Sequence, residues 1–238
     1  MVRFHIDDLM SSHKDEKVNN NFYKCLNNKY GKHGKDTITQ GKRHEYLGIW
    51  LEFGETGELL IDMSGYMQDM LDSYDGTLGG KDFSPTPMTA GGFMIRAGEP
   101  LGQKEKENFH TVVAKGLYAC KRARPDMHMA IIHLTTRVKN PTTDDQKKLN
   151  RLMRYINRTK NDRLYLRNDD ATVIKWYMDS SFVVHLDFRS HTSDMMTYGK
   201  GRAIIVSRKQ KLNTRSSIKA ELVGIDDVST MIYGPKCL

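Results

Sequence analysis

The stretch VRFHIDDLMSSHKD, residues 2–15, decides how this chain is read. Residues 2–7 have the character of a short strand, and that strand runs into two adjacent carboxylates, Asp7 and Asp8. Side-by-side acids repel one another and are disfavoured in strands. A divalent cation is the usual compensation, because hard cations take carboxylate oxygens as ligands. The pair also suits a turn or a helix start, where Asp side chains accept hydrogen bonds from nearby backbone N–H groups. The rest of the chain has to decide between the two.

Downstream, the pattern alternates between helix and strand signals. Val18, Phe22, Cys25, Leu26 and Lys29 recur near helical spacing, predicting a helix from about Asp15 to Tyr30 with Gly31 as its stop. EYLGIWLEFGETGELLIDM predicts strands over 46–53 and 58–62 joined by a turn at 54–57. Ser64 is placed to cap a short helix presenting Met67, Met70 and Leu71 on one side. Residues 75–103 are rich in Gly and Pro and read as an extended linker. Helices follow over 104–121 and 125–138, with Pro125 in the first turn of the second and Pro141 beyond its end. A third spans 143–159, where Leu149, Leu152, Met153 and Ile156 make an apolar stripe. A boundary is expected near 165–172. Beyond it come three strands, ATVIKWYMDS, DMMTYGKG and AIIVSRKQ. A closing helix follows, with Ser216 or Ser217 as cap and Leu222, Ile225 and Val228 on one face.

Composition bounds the function. The chain has 238 residues, 38% hydrophobic and 28% charged, enough for one large domain or two small ones. No run of about 18 apolar residues predicts a membrane span, and no signal-peptide pattern opens the chain, so a cytoplasmic or nuclear location is expected. Cys25, Cys120 and Cys237 have no metal spacing and make no even-numbered framework, which fits a reducing compartment. The net charge of +8 suits a polyanion partner, RNA, DNA or an RNA–DNA hybrid. Residues 146–160 hold six Lys/Arg and residues 200–219 hold seven, with no acid in either run. The candidate phosphate contacts are Lys147, Lys148, Arg151 and Arg154 in the first run, and Arg208, Lys209, Lys211 and Arg215 in the second. A merely solvated basic face explains the same pattern.

Asp179 ends an apolar strand and Glu221 sits one turn into the last helix, so a meander followed by a helix can bring two carboxylates together for Mg²⁺. Alternatively Asp179 caps a turn and Glu221 is a solvated residue near a helix N-terminus. His5, His44, His110, His133, His185 and His191 make no ligand spacing and read as structural or surface residues. Trp50 and Trp176 read as core.

Several stretches, in order, resemble the C-terminal part of the polyprotein of copia-type LTR retrotransposons. FHIDDL resembles the reverse-transcriptase Tyr-x-Asp-Asp hairpin, with His5 in the Tyr position. KRHEYLGIWLEF resembles the strand pair after the palm. KGLYACKRARPDMHMAIIHLTTRVKNPT, with Arg122, Arg124, Pro125 and Asp126, resembles the connection segment, and KLNRLMRYINRTK the helix after it. KWYMDSSFVVHLDFRSHTS and SRKQKLNTRSSIKAELVGIDD resemble the start of the ribonuclease H domain.

The resemblance implies an α+β protein: the end of the reverse-transcriptase palm and thumb over 1–75, a linker and helical connection over 76–165, and a truncated ribonuclease H-like unit of three antiparallel strands plus one helix over 166–238. It assigns Asp7, Asp8, Asp179 and Glu221 as catalytic and Mg²⁺-binding, and implies association with other pieces of the polyprotein. Two departures stand out. Lys219 lies two residues before Glu221, where the family has an acid, and the tail VSTMIYGPKCL leaves the family pattern. Asp226 and Asp227 lie too far along the helix to supply a third ligand. The expectation is therefore a fragment inactive alone, with each carboxylate set incomplete. A nucleic-acid-binding module without catalysis is the alternative.

Overall fold

The computed structural model describes residues 1–6, 8–32, 38–76, 78, 83–169, 173–185 and 187–233. The chain is mixed α and β with antiparallel sheets, in the α+β pattern the sequence predicts.

The opening stretch is two strands, not one. β1 (Val2–His5) pairs antiparallel with β2 (Asp8–Ser11), with His5 opposite Asp8. The turn between them holds Ile6 at φ 52°, which interrupts the single strand expected over 2–7. α1 (Glu16–Tyr30) follows as predicted, with the Asp15 carboxylate accepting from the Lys17 amide at its N-terminus.

The strand expected over 46–53 is likewise split. β3 (Arg43–Tyr46) and β4 (Ile49–Phe53) form a hairpin through Leu47 and Gly48, at φ 55° and 68°. Two positive φ angles make a tight turn whose twist matches the strands, and only Gly48 adopts it without steric cost. β5 (Glu58–Asp62) completes the meander as expected. α2 (Ser64–Asp72) begins at Ser64 itself. Met63 holds the N-cap position without a side-chain cap bond, Ser64 is the first helical residue and not the cap, and the Asp62 carboxylate accepts from the Ser64 amide at 2.8 Å.

The main core lies between this sheet and four helices. α3 (Gln103–Arg122), a 3₁₀ turn (Pro125–Met127), α4 (His128–Thr135) and α5 (Thr143–Thr159) pack with α2. Met67, Met70 and Leu71 of α2 meet Phe109, Val112 and Val113 of α3 and the predicted stripe Leu149, Leu152, Met153 and Ile156 of α5, all buried. Gly116 lets α3 pass close to α4: a Cβ there would stand 2.2 Å from Ile131 Cδ1. Arg124 is buried with its charge satisfied, donating to Asp126 and to the Thr159 carbonyl and hydroxyl. This ties the end of α3 to the end of α5.

β6 (Leu164–Asn168) pairs with β5, and β9 (Gly199–Lys200) pairs with β6. The sheet order is therefore β3-β4-β5-β6-β9, joining residues 43–62 to segments far downstream. The second sheet is an antiparallel meander, β7 (Lys175–Ser181), β8 (His191–Thr197) and β10 (Ile204–Lys209), in the order β10-β8-β7. α6 (Ser217–Tyr233) packs on β7 and β8, and the Ser216 hydroxyl accepts from the Lys219 amide at its start.

Of the face expected for α6, Val228 is buried, but Leu222 and Ile225 are not. Ala220, Gly224 and Val228, four residues apart, face the sheet, whereas Leu222 is 59% and Ile225 52% exposed. The cause is close approach: a Cβ at Gly224 would lie 2.5 Å from Ser180 Oγ, so small residues, not large apolar ones, define the contact. Trp50, expected in the core, is 40% exposed on the outer sheet face with the Arg43 guanidinium 4.5 Å above its ring.

Candidate functional site

Asp8 is at the first position of β2, and its carboxylate accepts a hydrogen bond from the Leu47 amide at 3.2 Å. The Leu47 carbonyl in turn accepts from the Tyr118 hydroxyl of α3 at 2.6 Å. A left-handed Leu is costly unless its surroundings fix it. Here both backbone polar groups are held, and the side chain packs on the main core. The strained turn thus links the carboxylate hairpin to the helices. Asp7 lies outside the described residues.

Asp179 is exposed near the end of β7, opposite Ser193 of β8. Its neighbours Met178 and Ser180 are the residues that meet Gly224 of α6. Because side chains alternate along a strand, Asp179 projects from the face turned away from α6. Glu221 rides on α6 itself, half-buried, next to the inward-facing Ala220. The buried Gln210 amide donates to the Ala220 carbonyl and to the Thr192 hydroxyl, both at 2.8 Å, which fixes the first turn of α6 over β8.

Among the described residues, no group of three or more His, Cys, Asp or Glu side chains is gathered to hold a metal ion.

A different acid is buried in this unit. Asp194 of β8 sits on the α6 side of the sheet, opposite Met178 and beside Val206, and neither carboxylate oxygen has a hydrogen-bond partner. Burial pushes its carboxyl up to about 6, against the pull of Arg208, whose guanidinium is 3.9 Å away. Arg208 also donates to the Asp227 carbonyl at 2.6 Å and lies 3.6 Å from the Asp227 carboxylate. In the sequence Asp194 opens the expected strand DMMTYGKG after the polar Thr192 and Ser193, and nothing there signals its burial.

The basic runs are distributed unevenly. Residues 86–94 of the expected linker lie along α5, where they meet cations of the first basic run. Lys148 pairs with Asp144 at 3.0 Å and donates to the Met94 carbonyl at 2.6 Å, and Arg151 donates to the Thr86 hydroxyl at 2.9 Å. Arg154 is half-buried, with its Nε enclosed. Arg208 is engaged as described, and Lys209 pairs with Asp187 at 2.5 Å. Lys147, Lys211 and Arg215 are exposed and without ion pairs among the described residues. Arg215 and Lys219 border a shallow groove with Leu212 and Leu222 between the 212–215 loop and α6.

Histidines far apart in sequence converge between α4 and the meander. His185 Nε2 is 3.0 Å from His191 Nδ1, and His191 Nε2 is 2.6 Å from Ser207 Oγ. Phe93 packs edge-on against His133 and His185 and tilted against His191. His133 Nε2 is 3.3 Å from Lys148 Nζ. Burial holds His128, His133 and His191 down to about 4, and lowers His185 as well. Sequence spacing carries no trace of this grouping.

The fold and these sites define an α+β protein of antiparallel sheets and packed helices, with no described helix long and apolar enough to cross a membrane. The chain is similar to the uncharacterized mitochondrial protein AtMg00810 of Arabidopsis thaliana, 26% identical over 183 residues, covering 76% of this chain and 73% of that one. No family model and no solved structure matches the chain.

Proposed function

We propose that the chain is a transposon-derived fragment of a copia-type reverse transcriptase and ribonuclease H, inactive when isolated. The observation that carries this reading is the antiparallel meander β7-β8-β10 followed by α6, with Asp179 near the end of its first strand and Glu221 early in the helix. The β1–β2 hairpin, with Asp8 at the start of its second strand, and the order of the resembling stretches support it. Phosphoryl transfer depends on positive charge placed where negative charge develops. Asp179 and Glu221 would contribute such charge only by holding Mg²⁺, and Asp179 lies on the sheet face turned away from α6. The test is incubation of purified, nuclease-free chain with an RNA–DNA hybrid and with a primer–template, in Mg²⁺. No cleavage and no extension are expected. Turnover abolished by Asp179→Asn would overturn the reading.

A second reading, a sequence-independent nucleic-acid-binding module, is favoured by one observation: Lys147, Lys211 and Arg215 remain exposed and free of ion pairs among the described residues. Its partners are RNA, DNA or their hybrid, held through phosphates.

A further inference from the structure

We propose that His128, His133, His185 and His191 form an acid-released latch: while neutral they hold the β7-β8-β10 sheet against α4, and shared proton uptake frees that sheet from the helical core. This inference is independent of the proposed ancestry.

The hydrogen-bond geometry cannot be kept with every ring protonated. At 3.0 Å, the His185 and His191 nitrogens need one N–H and one lone pair between them, so two imidazoliums cannot occupy these positions. Lys148 Nζ, at 3.3 Å from His133 Nε2, is donor only, so His133 must offer a lone pair there. A proton on that nitrogen would replace the hydrogen bond with a contact between like charges. His128 opens α4 and is buried, its Nδ1 without a partner. It faces the cations Lys121 of α3 and Arg202 of the β9–β10 turn.

The other charged groups around the cluster do not neutralise added protons. His133 faces Arg137 as well as Lys148, and the nearby Asp145 is already paired with Arg137 at 3.1 Å. His185 faces Lys209 and Asp187, and Asp187 is paired with Lys209. The remaining walls are neutral: Phe93 from the 84–96 segment, Met129 from α4, and Ser193 and Ser207, whose hydroxyls meet the Met129 sulfur at 3.3 and 3.1 Å. His133 of α4 and His185 and His191 of the meander pack on the same ring, Phe93, so charge placed on both sides of that ring pushes the sheet away from α4. Ser207, His191 and His185 line up as a nucleophile relay would, but Ser207 and His191 are both buried. The values near 4 have the matching sign. Rings depressed in the fold support it fully above the ordinary histidine range, near 6.5, and withdraw that support as pH falls towards 4. The β6–β9 ladder remains as a tether when the latch opens.

The test is hydrogen exchange of the full chain from pH 7.5 to 4, corrected for intrinsic rates. β7, β8, β10 and α6 are expected to lose protection together below about pH 6 while α2, α3 and α5 keep theirs. The opening constant is expected to rise with net uptake of about two protons, three taken by the histidines and one released by Asp194, and with about one fewer in His191→Gln. Ring resonances of the wild-type chain provide a reading that needs no variant: the buried histidines should titrate together, well below the ordinary histidine range. Protection retained at pH 4, simultaneous loss across the whole chain, or buried rings titrating separately near 6.5 would overturn the proposal.

Discussion

Asp194 shows how far one side chain can work against its fold. Its carboxyl is buried and unbonded, and the nearest cation stands at 3.9 Å and is shared with Asp227. A carboxyl raised from its ordinary value to about 6 corresponds to roughly 3 kcal/mol at neutral pH. The sign follows from proton binding. The folded state holds this proton more tightly than the unfolded chain, so the residue is harmless below the ordinary carboxylate range and increasingly destabilising as pH rises through 6. Asp194→Asn is therefore expected to raise the urea-unfolding free energy by about 1–3 kcal/mol at pH 7.5. The gain over wild type should shrink to nothing near pH 4, which unfolding curves at matched pH will check. An equal gain at every pH would show that charge is not the cause. At this scale the sequence was partly legible. Asp8, Asp179 and Glu221 stand out by their neighbours, and the structure places each at the edge of a defined strand or helix. The histidine cluster was not legible, because its members reach a common point only through packing of α4 on β8 and β10.

Helix α5 was readable to its ends because apolar spacing, a capping box at Thr142 and Asp145, and a basic last turn all agree. β3 and β4 were not, since nothing apolar or polar marks the break at Leu47-Gly48; only the glycine hints at it. The face of α6 was read correctly only at Val228, because large apolar residues dominate its pattern, while contact is decided by how closely the backbone must approach β7. Gly224→Ala tests this at the level of the element. Alanine favours the helix by about 1 kcal/mol, but its methyl would sit 2.5 Å from Ser180 Oγ and 3.3 Å from Thr192 Cγ2. Overpacking should win, with a net loss of about 1–2 kcal/mol by chemical denaturation. Ser180→Ala in the same chain should recover much of it, and a Gly224→Ala variant as stable as wild type would contradict the close contact.

For the molecule as a whole, excess positive charge is not the same as available positive charge. Of the 37 Lys and Arg behind the net +8, several are held by Asp144, Asp187, Asp194 and backbone carbonyls. If the chain binds nucleic acid, the exposed Lys147, Lys211 and Arg215 should carry a share of the salt dependence. Replacing all three with Gln is expected to reduce the slope of log affinity against log salt by about two to three in fluorescence anisotropy. The same replacements at Lys148, Arg151 and Lys209 should change stability more than the slope. An unaltered slope in the first variant would place the binding elsewhere. The coarse α+β class was visible from the alternation of patterns, but the joining of the two ends of the chain through one sheet was not, since strand partners cannot be read from local period.

That long-range pairing also governs how the molecule comes into being. Ile61 and its partner Leu164 are separated by roughly a hundred residues, and the intervening helices must be synthesised before the ladder can close. During translation β5 therefore waits with a bare flank, rich in Leu and Ile, for a neighbour still inside the ribosome. Nascent chains stalled before Leu164 should be the form of this polypeptide most prone to self-association and most in need of a chaperone.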